Sequence, residues 1–509
     1  QFIDYLIDDG STDAFLLFLE DVKTPEIFQR VSEKALRAGK PIILTKIGKS
    51  EAGRRAAQSH TGAMTGSYDT YKAMFQRYGI IEGKDREEMC DIAAGFSHFG
   101  DRLPLGKRVG ICTGSGGSGG WMAETCVAAG LEVPLLDDVT RAKIDAHLPS
   151  YATSQNPVDG TAGSIRKIGY SVLGEWVAAS DEVDSVIIVT SARHARIFSG
   201  EGDNLARVAR EATKPIVMCT YTLPGEESTR MINEAGYPFF MNMPNCARTV
   251  REMADYRAHR EAFLKIPEIG PRDSNREKAA RAALVDQNAA LCEYEAAEIL
   301  APYDIDCGAG GLASSAEAAA ELAEAIGGPV ALKIQSRGIP HKSEAGGVKL
   351  NLTGNAEIEK AYSEILANAE SHAADAEIDG VLVRPMAGEG VEMILGLKHD
   401  EAFGPMLLVG LGGIFVEVLK DVLLLPTPLA KEEALAALDR LKGAAMLDGV
   451  RGKPAADKEA LADLMFKLGQ FASETSGVVA ELDLNPVIVH EDGKGLTIAD
   501  ALIVTGPSD

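Results

Sequence analysis

Residues 49–66, KSEAGRRAAQSHTGAMTG, set His60 between Ser59 and Thr61, with Gly62 next, in a run of small residues. The apolar segment 41–46 before it reads as a buried parallel strand, and 67–76 after it as a helix whose N-terminus points back at the loop. Open α/β sheets bind ligands outside the carboxyl ends of their strands. A helix N-terminus there favours anions. A neutral imidazole so placed can accept a phosphoryl group as a nucleophile. A solvated or structural histidine is the competing reading. Glu20 closes the apolar run 14–19, which reads as another buried strand. Were that strand parallel to 41–46, Glu20 would share a sheet edge with His60, where a carboxylate fixes the imidazole tautomer and stabilises its charged form. Equally, Glu20 ends a strand and faces water.

A second anion-directed pattern is the strand 107–112, the run TGSGGSGG at 113–120, and a helix from Trp121. Backbone N–H groups of Gly116, Gly117, Ser118 and Gly119 would form a cradle. No Gly-Lys-Ser/Thr follows, so this is not a Walker loop. The alternative is glycine kept only for close helix–strand packing. Asn156 and Asp159, in the loop QNPVD, suit substrate orientation, or mark a plain turn. Trp121 reads as a pocket wall, a stacking surface for a cationic substrate, or a core residue.

The third pattern lies towards the C-terminus. Lys333 stands alone among apolar residues in the strand 330–334, so it is expected to meet an anion. The loop PHKSEAGG, 340–347, carries His341 with Ser343, Gly346 and Gly347, and Glu392 opens the strand 391–397. The segments 481–486 (ELDLNP) and 497–500 (TIAD) could pair as a hairpin and set Asn485 beside Asp500. Oxygen ligands on adjacent strands suit Mg²⁺ bridging nucleotide phosphates. Lysine, glycine loop and late oxygen ligands together describe a nucleotide site that assists phosphoryl transfer.

Elements that would position these residues alternate as β and α from residue 14 to 235, implying parallel sheets covered by helices. They group as modules 1–104 and 105–265, a charged, proline-rich linker 266–278, and a third module 279–509. The 509 residues provide ample core for three domains. A net charge of −24 argues against nucleic acid as the main partner. Apolar runs are too short to span a membrane. Seven scattered cysteines without a CxxC pair imply reduced thiols in a cytoplasm. Gln1 opens inside helical sequence, so an N-terminal part is expected to precede it.

The motifs EAGRRAAQSHTGAMTGS, QNPVDGTA, PHKSEAGGV, GLGGIFVEVLKD, LDGVRGKP and AELDLNP together resemble the acyl-CoA synthetases that form a nucleoside diphosphate. These are the ADP-forming acetate–CoA ligases and their succinyl-CoA synthetase cousins. The resemblance covers nearly the whole chain. It implies an α/β fold of two succinyl-CoA synthetase-like flavodoxin modules followed by an ATP-grasp domain. It makes His60 the phosphohistidine, Glu20 its carboxylate partner, and His341 a relay on a mobile loop. Lys333 would contact ATP phosphates, and Asn485 and Asp500 would hold Mg²⁺. The implied reaction is carboxylic acid + ATP + CoA giving acyl-CoA + ADP + phosphate, in a cytoplasmic homo-oligomer, a dimer. The family normally opens with a CoA-binding domain, and then a strand and helix carrying a Ser-x-Ser-Gly loop; neither precedes Gln1 here. Alternatives are a ligase whose acyl-CoA product undergoes elimination, as on a sulfonium acid such as dimethylsulfoniopropionate; a ligase-like regulatory body of a protein acetyltransferase; and an ATP-grasp carboxylate–amine ligase, which has no use for His60.

Overall fold

The computed structural model describes residues 1–52, 67–284, 290–339, 342–413, 421–450 and 452–506. Ser59, His60, Thr61, Gly62 and His341 lie outside the described residues. The chain divides into two compact units, residues 1–65 with 78–265, and residues 66–77 with 266–509.

The first unit contains two parallel sheets, as alternating β and α elements require. Strands β1 (Phe15–Leu19), β2 (Ile42–Lys46) and β3 (Ile81–Glu82) form one, in that order. The helices Pro25–Arg37 and Arg86–Phe99 flank it in sequence. Ile43 and Leu44 of the central strand are fully buried. The reading of 14–19 as a buried strand needs correction: β1 is the edge strand, and Leu16 and Phe18 are 44% and 68% exposed. A run of apolar residues cannot tell an edge strand from a central one, because periodicity reports the faces and not the neighbours.

The second sheet holds β4 (Val109–Thr113), β5 (Val158–Asp159), β6 (Ser185–Thr190), β7 (Ile216–Thr220) and β8 (Phe239–Phe240), ordered β5-β4-β6-β7-β8 and parallel throughout. Every residue of β4, β6 and β7 is buried, which explains their continuous apolar sequence. The helix expected from Trp121 begins at Gly116, inside the glycine run. The Ser118 hydroxyl lies 2.8 Å from Thr113 Oγ1 and donates to the Ser115 carbonyl at 2.9 Å, which closes the first turn. A long helix, Met243–Phe263, completes the unit; Asn242 caps it through the Asn245 N–H at 3.1 Å.

The second unit is built on two largely antiparallel sheets. Its strands are β9 (Ala290–Leu291), β10 (Gly311–Ala313), β11 (Val330–Gln335), β12 (Val348–Leu352), β13 (Gly380–Pro385), β14 (Val391–Asp400), β15 (Gly404–Leu411), β16 (Val422–Pro426), β17 (Val479–Val489), β18 (Leu496–Ile498) and β19 (Ala501–Thr505). One sheet runs β10-β13-β11-β12, and the other β16-β15-β14-β17-β19-β9 with β18 on β17. Each sheet packs on its own apolar core. The stretch 266–278 read as a linker is corrected at its end: helix Ser274–Leu284 starts inside it. Asp273 Oδ1 accepts from the N–H groups of Asn275 and Arg276 at 2.9 and 3.2 Å, and Arg276 pairs with Glu474 at 2.7 Å. Sequence reading gave helix 67–77 to the first module, whereas the helix Tyr68–Arg77 is grouped with the second unit.

Candidate functional site

Lys333 sits on β11, all of whose residues are buried. A buried ammonium is costly unless paired. Its Nζ lies 3.0 and 3.1 Å from the two carboxylate oxygens of Glu293 and also donates to the Ala499 carbonyl. Glu293, only 1% exposed, opens the helix Glu293–Leu300. Lys342 Nζ stands 2.6 Å from Asp500 Oδ1 and 3.5 Å from Glu293. Arg384 of β13 brings its Nε within 3.7 Å of Glu293. Burial pushes the Glu293 carboxyl above its usual range, against the pull of Lys333. Asp500 is held below its ordinary value: burial opposes this, and Lys342 and Lys333 outweigh it. Three cationic side chains thus face two carboxylates, an excess of one positive charge in a partly buried place, which favours an anion.

The expectation that Lys333 meets an anion is met inside the chain by Glu293. Glu293, Lys342 and Arg384 were not singled out from sequence. The available signals were a glutamate at a helix start behind a short strand, and a lysine directly after His341.

Oxygen donors stand beside this cluster. Strands β17 and β19 pair antiparallel with Leu484 opposite Ala501, and the Asn485 N–H donates to the Asp500 carbonyl at 3.3 Å. The two expected metal ligands are therefore neighbours across the ladder. Asn485 is exposed and hydrogen-bonds the side chain of Asp483, whose carboxyl burial pushes up. An all-oxygen donor set suits a hard cation such as Mg²⁺. Ser343, Gly346 and Gly347 form the turn that joins Lys342 to β12. Gly347 N–H donates to the Lys342 carbonyl at 2.8 Å, and its own carbonyl accepts from Ile334 at 2.8 Å. A Cβ on Gly347 would lie 2.4 Å from Ile334 Cγ2, so only glycine lets the turn lie against β11. Glu392 is exposed, and its carbonyl accepts from Gly412 at 2.7 Å, beside the glycine turn that ends β15.

In the first unit, β1 and β2 run parallel with Leu19 opposite Lys46, which puts Glu20 at the edge where the chain leaves for the His60 loop. Lys46, only 3% exposed, donates to the carbonyls of Glu20 and Ile47, each at 2.6 Å. Burial pushes its ammonium down, and Asp21, Glu82 and Glu20 work against that shift. Lys46 is a further residue that sequence reading passed over. At the glycine loop, a Cβ on Gly116 would meet Asp159 Oδ2 at 3.0 Å, and one on Gly119 would meet Thr113 at 3.0 Å. Gly117 and Gly120 face open space. Close packing thus restricts Gly116 and Gly119, while Gly117 and Gly120 have room for a side chain.

Asn156 is corrected. Its amide donates to the carbonyls of Val109 and Pro134 at 2.9 Å each, and its oxygen accepts from the Ile111 N–H at 2.9 Å. Buried and committed to backbone, it holds β4 in place rather than facing a substrate. Asp159 accepts from the Thr161 N–H at 2.9 Å and lies against Gly116. Trp121 is 63% exposed, so it is not a core residue.

The helix Tyr68–Arg77, next after the His60 loop, is docked within the second unit. Thr70 donates to Asp400 at 2.8 Å, the Tyr71 and Phe403 rings meet edge-on at 5.0 Å, and Arg77 binds the carbonyls of Pro426 and Pro428 and the carboxylate of Glu433. Elsewhere Cys292, Glu295 and Asp379 converge. Burial pushes the Cys292 thiol up to about 12, and Glu295 is already held by Arg337 and the Cys292 N–H, so a thiolate ligand is disfavoured there. Among the described residues, no helix is long and apolar enough to cross a membrane.

Residues 1–96 match the family profile of the succinyl-CoA ligase like flavodoxin domain, and 282–505 that of the ATP-grasp domain. An ADP-forming acetate–CoA ligase of Archaeoglobus fulgidus is 34% identical over 99% of this chain and 72% of its own length. An ADP-forming 4-hydroxybutyrate–CoA ligase of Nitrosopumilus maritimus is 31% identical over 98% of this chain and 71% of its own. Among solved structures, an acetyl-coenzyme A synthetase of Ca. Korarchaeum cryptofilum, in complex with coenzyme A and Mg-AMPPCP, is 36% identical over 45% of this chain and all of that one, with a TM-score of 0.39. With parallel-sheet modules, a two-sheet unit matching the ATP-grasp domain and likeness to such ligases over nearly all of this chain, the chain belongs to the ADP-forming acyl-CoA synthetases.

Proposed function

We propose that the protein joins a small carboxylic acid to coenzyme A, converting ATP to ADP and phosphate through a phosphohistidine and an acyl phosphate. The observation that carries this reading is the partly buried group Lys333, Lys342, Arg384, Glu293 and Asp500, with its surplus of positive charge, next to Asn485. Lys333, Lys342 and Arg384 would hold the nucleotide phosphates, and Asn485 with Asp500 would hold Mg²⁺. When bound, the metal supplies charge neutralisation on the transferring phosphoryl group.

The phosphoryl group passes from ATP to His341, then to His60, then to the acid carboxylate. The thiol of CoA displaces phosphate from the acyl phosphate. Dividing the reaction this way gives each step a good leaving group. Glu20 sits at the sheet edge from which the His60 loop departs, as the carboxylate partner of that imidazole would. Gly116 and Gly117, exposed in the first turn of the helix Gly116–Ala128, would offer backbone N–H groups to the acyl phosphate. Relatives acting on acetate, 4-hydroxybutyrate and ferulate support a carboxylic acid of modest size as substrate. Seven free cysteines support a cytoplasmic setting.

The test is labelling with γ-labelled ATP on wild type, His60→Ala and His341→Ala. Acid-labile, base-stable label is expected on His60 in the wild type and on His341 alone in His60→Ala, with loss of ligase activity. Full ligase activity in His60→Ala refutes the mechanism. Undiminished labelling of His60 in His341→Ala removes the relay.

A further inference from the structure

Lys342 places its ammonium on the carboxylate expected to hold the metal. Its Nζ is 2.6 Å from Asp500 Oδ1 and 3.5 Å from Glu293, and the side chain is 12% exposed. Asp500 Oδ1 also accepts from the Ala501 N–H at 2.9 Å, so that oxygen is fully engaged. Mg²⁺ binds oxygen ligands at about 2.0–2.1 Å and tolerates little distortion. A cation of charge two on Asp500 would stand within a few ångströms of the Lys342 ammonium, in a partly buried place where screening is weak. The two therefore compete for one carboxylate.

Lys333 acts on Asp500 only through space, its hydrogen bonds going to Glu293 and the Ala499 carbonyl, so Lys342 is the ammonium in contact with that carboxylate. Lys342 instead opens the turn that Gly347 ties to β11, the strand that carries Lys333. Its ammonium touches Asp500 and also Glu293, the carboxylate that holds Lys333.

Resting on the nucleotide-site reading above, we propose that Lys342 is a resident cation on Asp500 that Mg²⁺ displaces, the released ammonium passing to a phosphate of the nucleotide. The exchange gives each anion a cationic partner at both stages. Lysine neutralises the carboxylate in the free enzyme. Metal neutralises it in the loaded enzyme, where the lysine neutralises phosphate. Metal loading and phosphate grip thereby become one coupled event, and free divalent metal is held off until a phosphate arrives to receive the lysine.

The test uses Mn²⁺ as the probe, with free Mn²⁺ counted by electron paramagnetic resonance on the full chain without nucleotide. Lys342→Met and Lys342→Gln are expected to bind Mn²⁺ about tenfold more tightly than wild type, and Lys342→Arg about as wild type. Affinity for ADP in the presence of Mg²⁺ is expected to fall by about tenfold in the same Met and Gln variants. These opposite signs separate the exchange from simple structural damage, which weakens both. Unchanged or weaker Mn²⁺ binding in both neutral variants overturns the proposal. Asp500→Asn distinguishes the underlying assignment: Mn²⁺ binding that survives it intact shows that Asp500 is not the metal ligand, and the nucleotide-site reading then fails along with the exchange.

Discussion

Arg77→Ala tests how the helix that follows the His60 loop is held. The guanidinium reaches the Pro426 carbonyl at 3.1 Å, the Pro428 carbonyl at 2.8 Å and Glu433 at 3.1 and 3.2 Å. Both charged side chains are only 16% exposed, so solvent screens the pair weakly. Charge-assisted hydrogen bonds contribute about 1.5–3 kcal/mol each, and breaking a buried pair costs about 3–5 kcal/mol. Glu433 keeps one partner, the Ala430 N–H at 2.8 Å, and water can reach part of the vacated space, which brings the expected cost to about 2–4 kcal/mol. At about 1.4 kcal/mol per factor of ten, local opening of helix Tyr68–Arg77 rises roughly 30- to 700-fold. Hydrogen–deuterium exchange of the amides in that helix reads this directly, because native-state exchange reports local opening. Arg77→Lys keeps the charge and loses the fork, so an intermediate rise is expected. Acceleration of less than about threefold in Arg77→Ala would show that Tyr71 against Phe403 and Thr70 on Asp400 hold the helix without the arginine.

Three further outcomes are expected. Asp137 is held at about 2, below its ordinary 3.8, chiefly by the Ser180 hydroxyl and also by the Thr140 N–H and hydroxyl. Because the folded value is the lower one, its stabilisation is present above about pH 4 and is lost as pH falls towards about 2. Asp137→Ala should cost about 0.5–2 kcal/mol in urea denaturation at neutral pH, and the gap to wild type should close between about pH 4 and 2; a gap unchanged at low pH contradicts this. Asn156→Ala strands the buried Ile111 N–H and two carbonyls, and should lower stability by about 2–4 kcal/mol, measured in the same way. Gly347→Ala drives a methyl into Ile334, so about 1–3 kcal/mol of destabilisation and weaker ADP binding are expected, read by denaturation and calorimetric titration.

Local pattern was enough for much of this protein. The apolar runs 107–112, 185–190 and 215–220 read as strands and form the strands Val109–Thr113, Ser185–Thr190 and Ile216–Thr220, and their alternation with helices dictated the layered architecture. A lysine inside an apolar strand demanded an anionic partner, since the cost of an unpaired buried charge is independent of the fold. The pairing of Asn485 with Asp500 followed from two short strands around a turn.

Other features were decided by the tertiary structure. Nothing in the sequence around residue 293 says that its carboxylate reaches Lys333, 40 positions later, or that Lys342 reaches Asp500, 158 positions later. Asn156 looked like a loop residue available to a ligand, and packing turned it into a backbone clamp. The run 14–19 looked buried until the sheet order placed it at an edge. The helix Tyr68–Arg77 is contiguous with the first module in sequence and is held by Asp400, Phe403 and Glu433 in the second unit. Periodicity and composition determine which faces are apolar and which charges need partners. Which distant residue supplies the partner depends on chain crossovers that close loops of tens to hundreds of residues, and their entropic cost rises too slowly with length for sequence separation to select the partner.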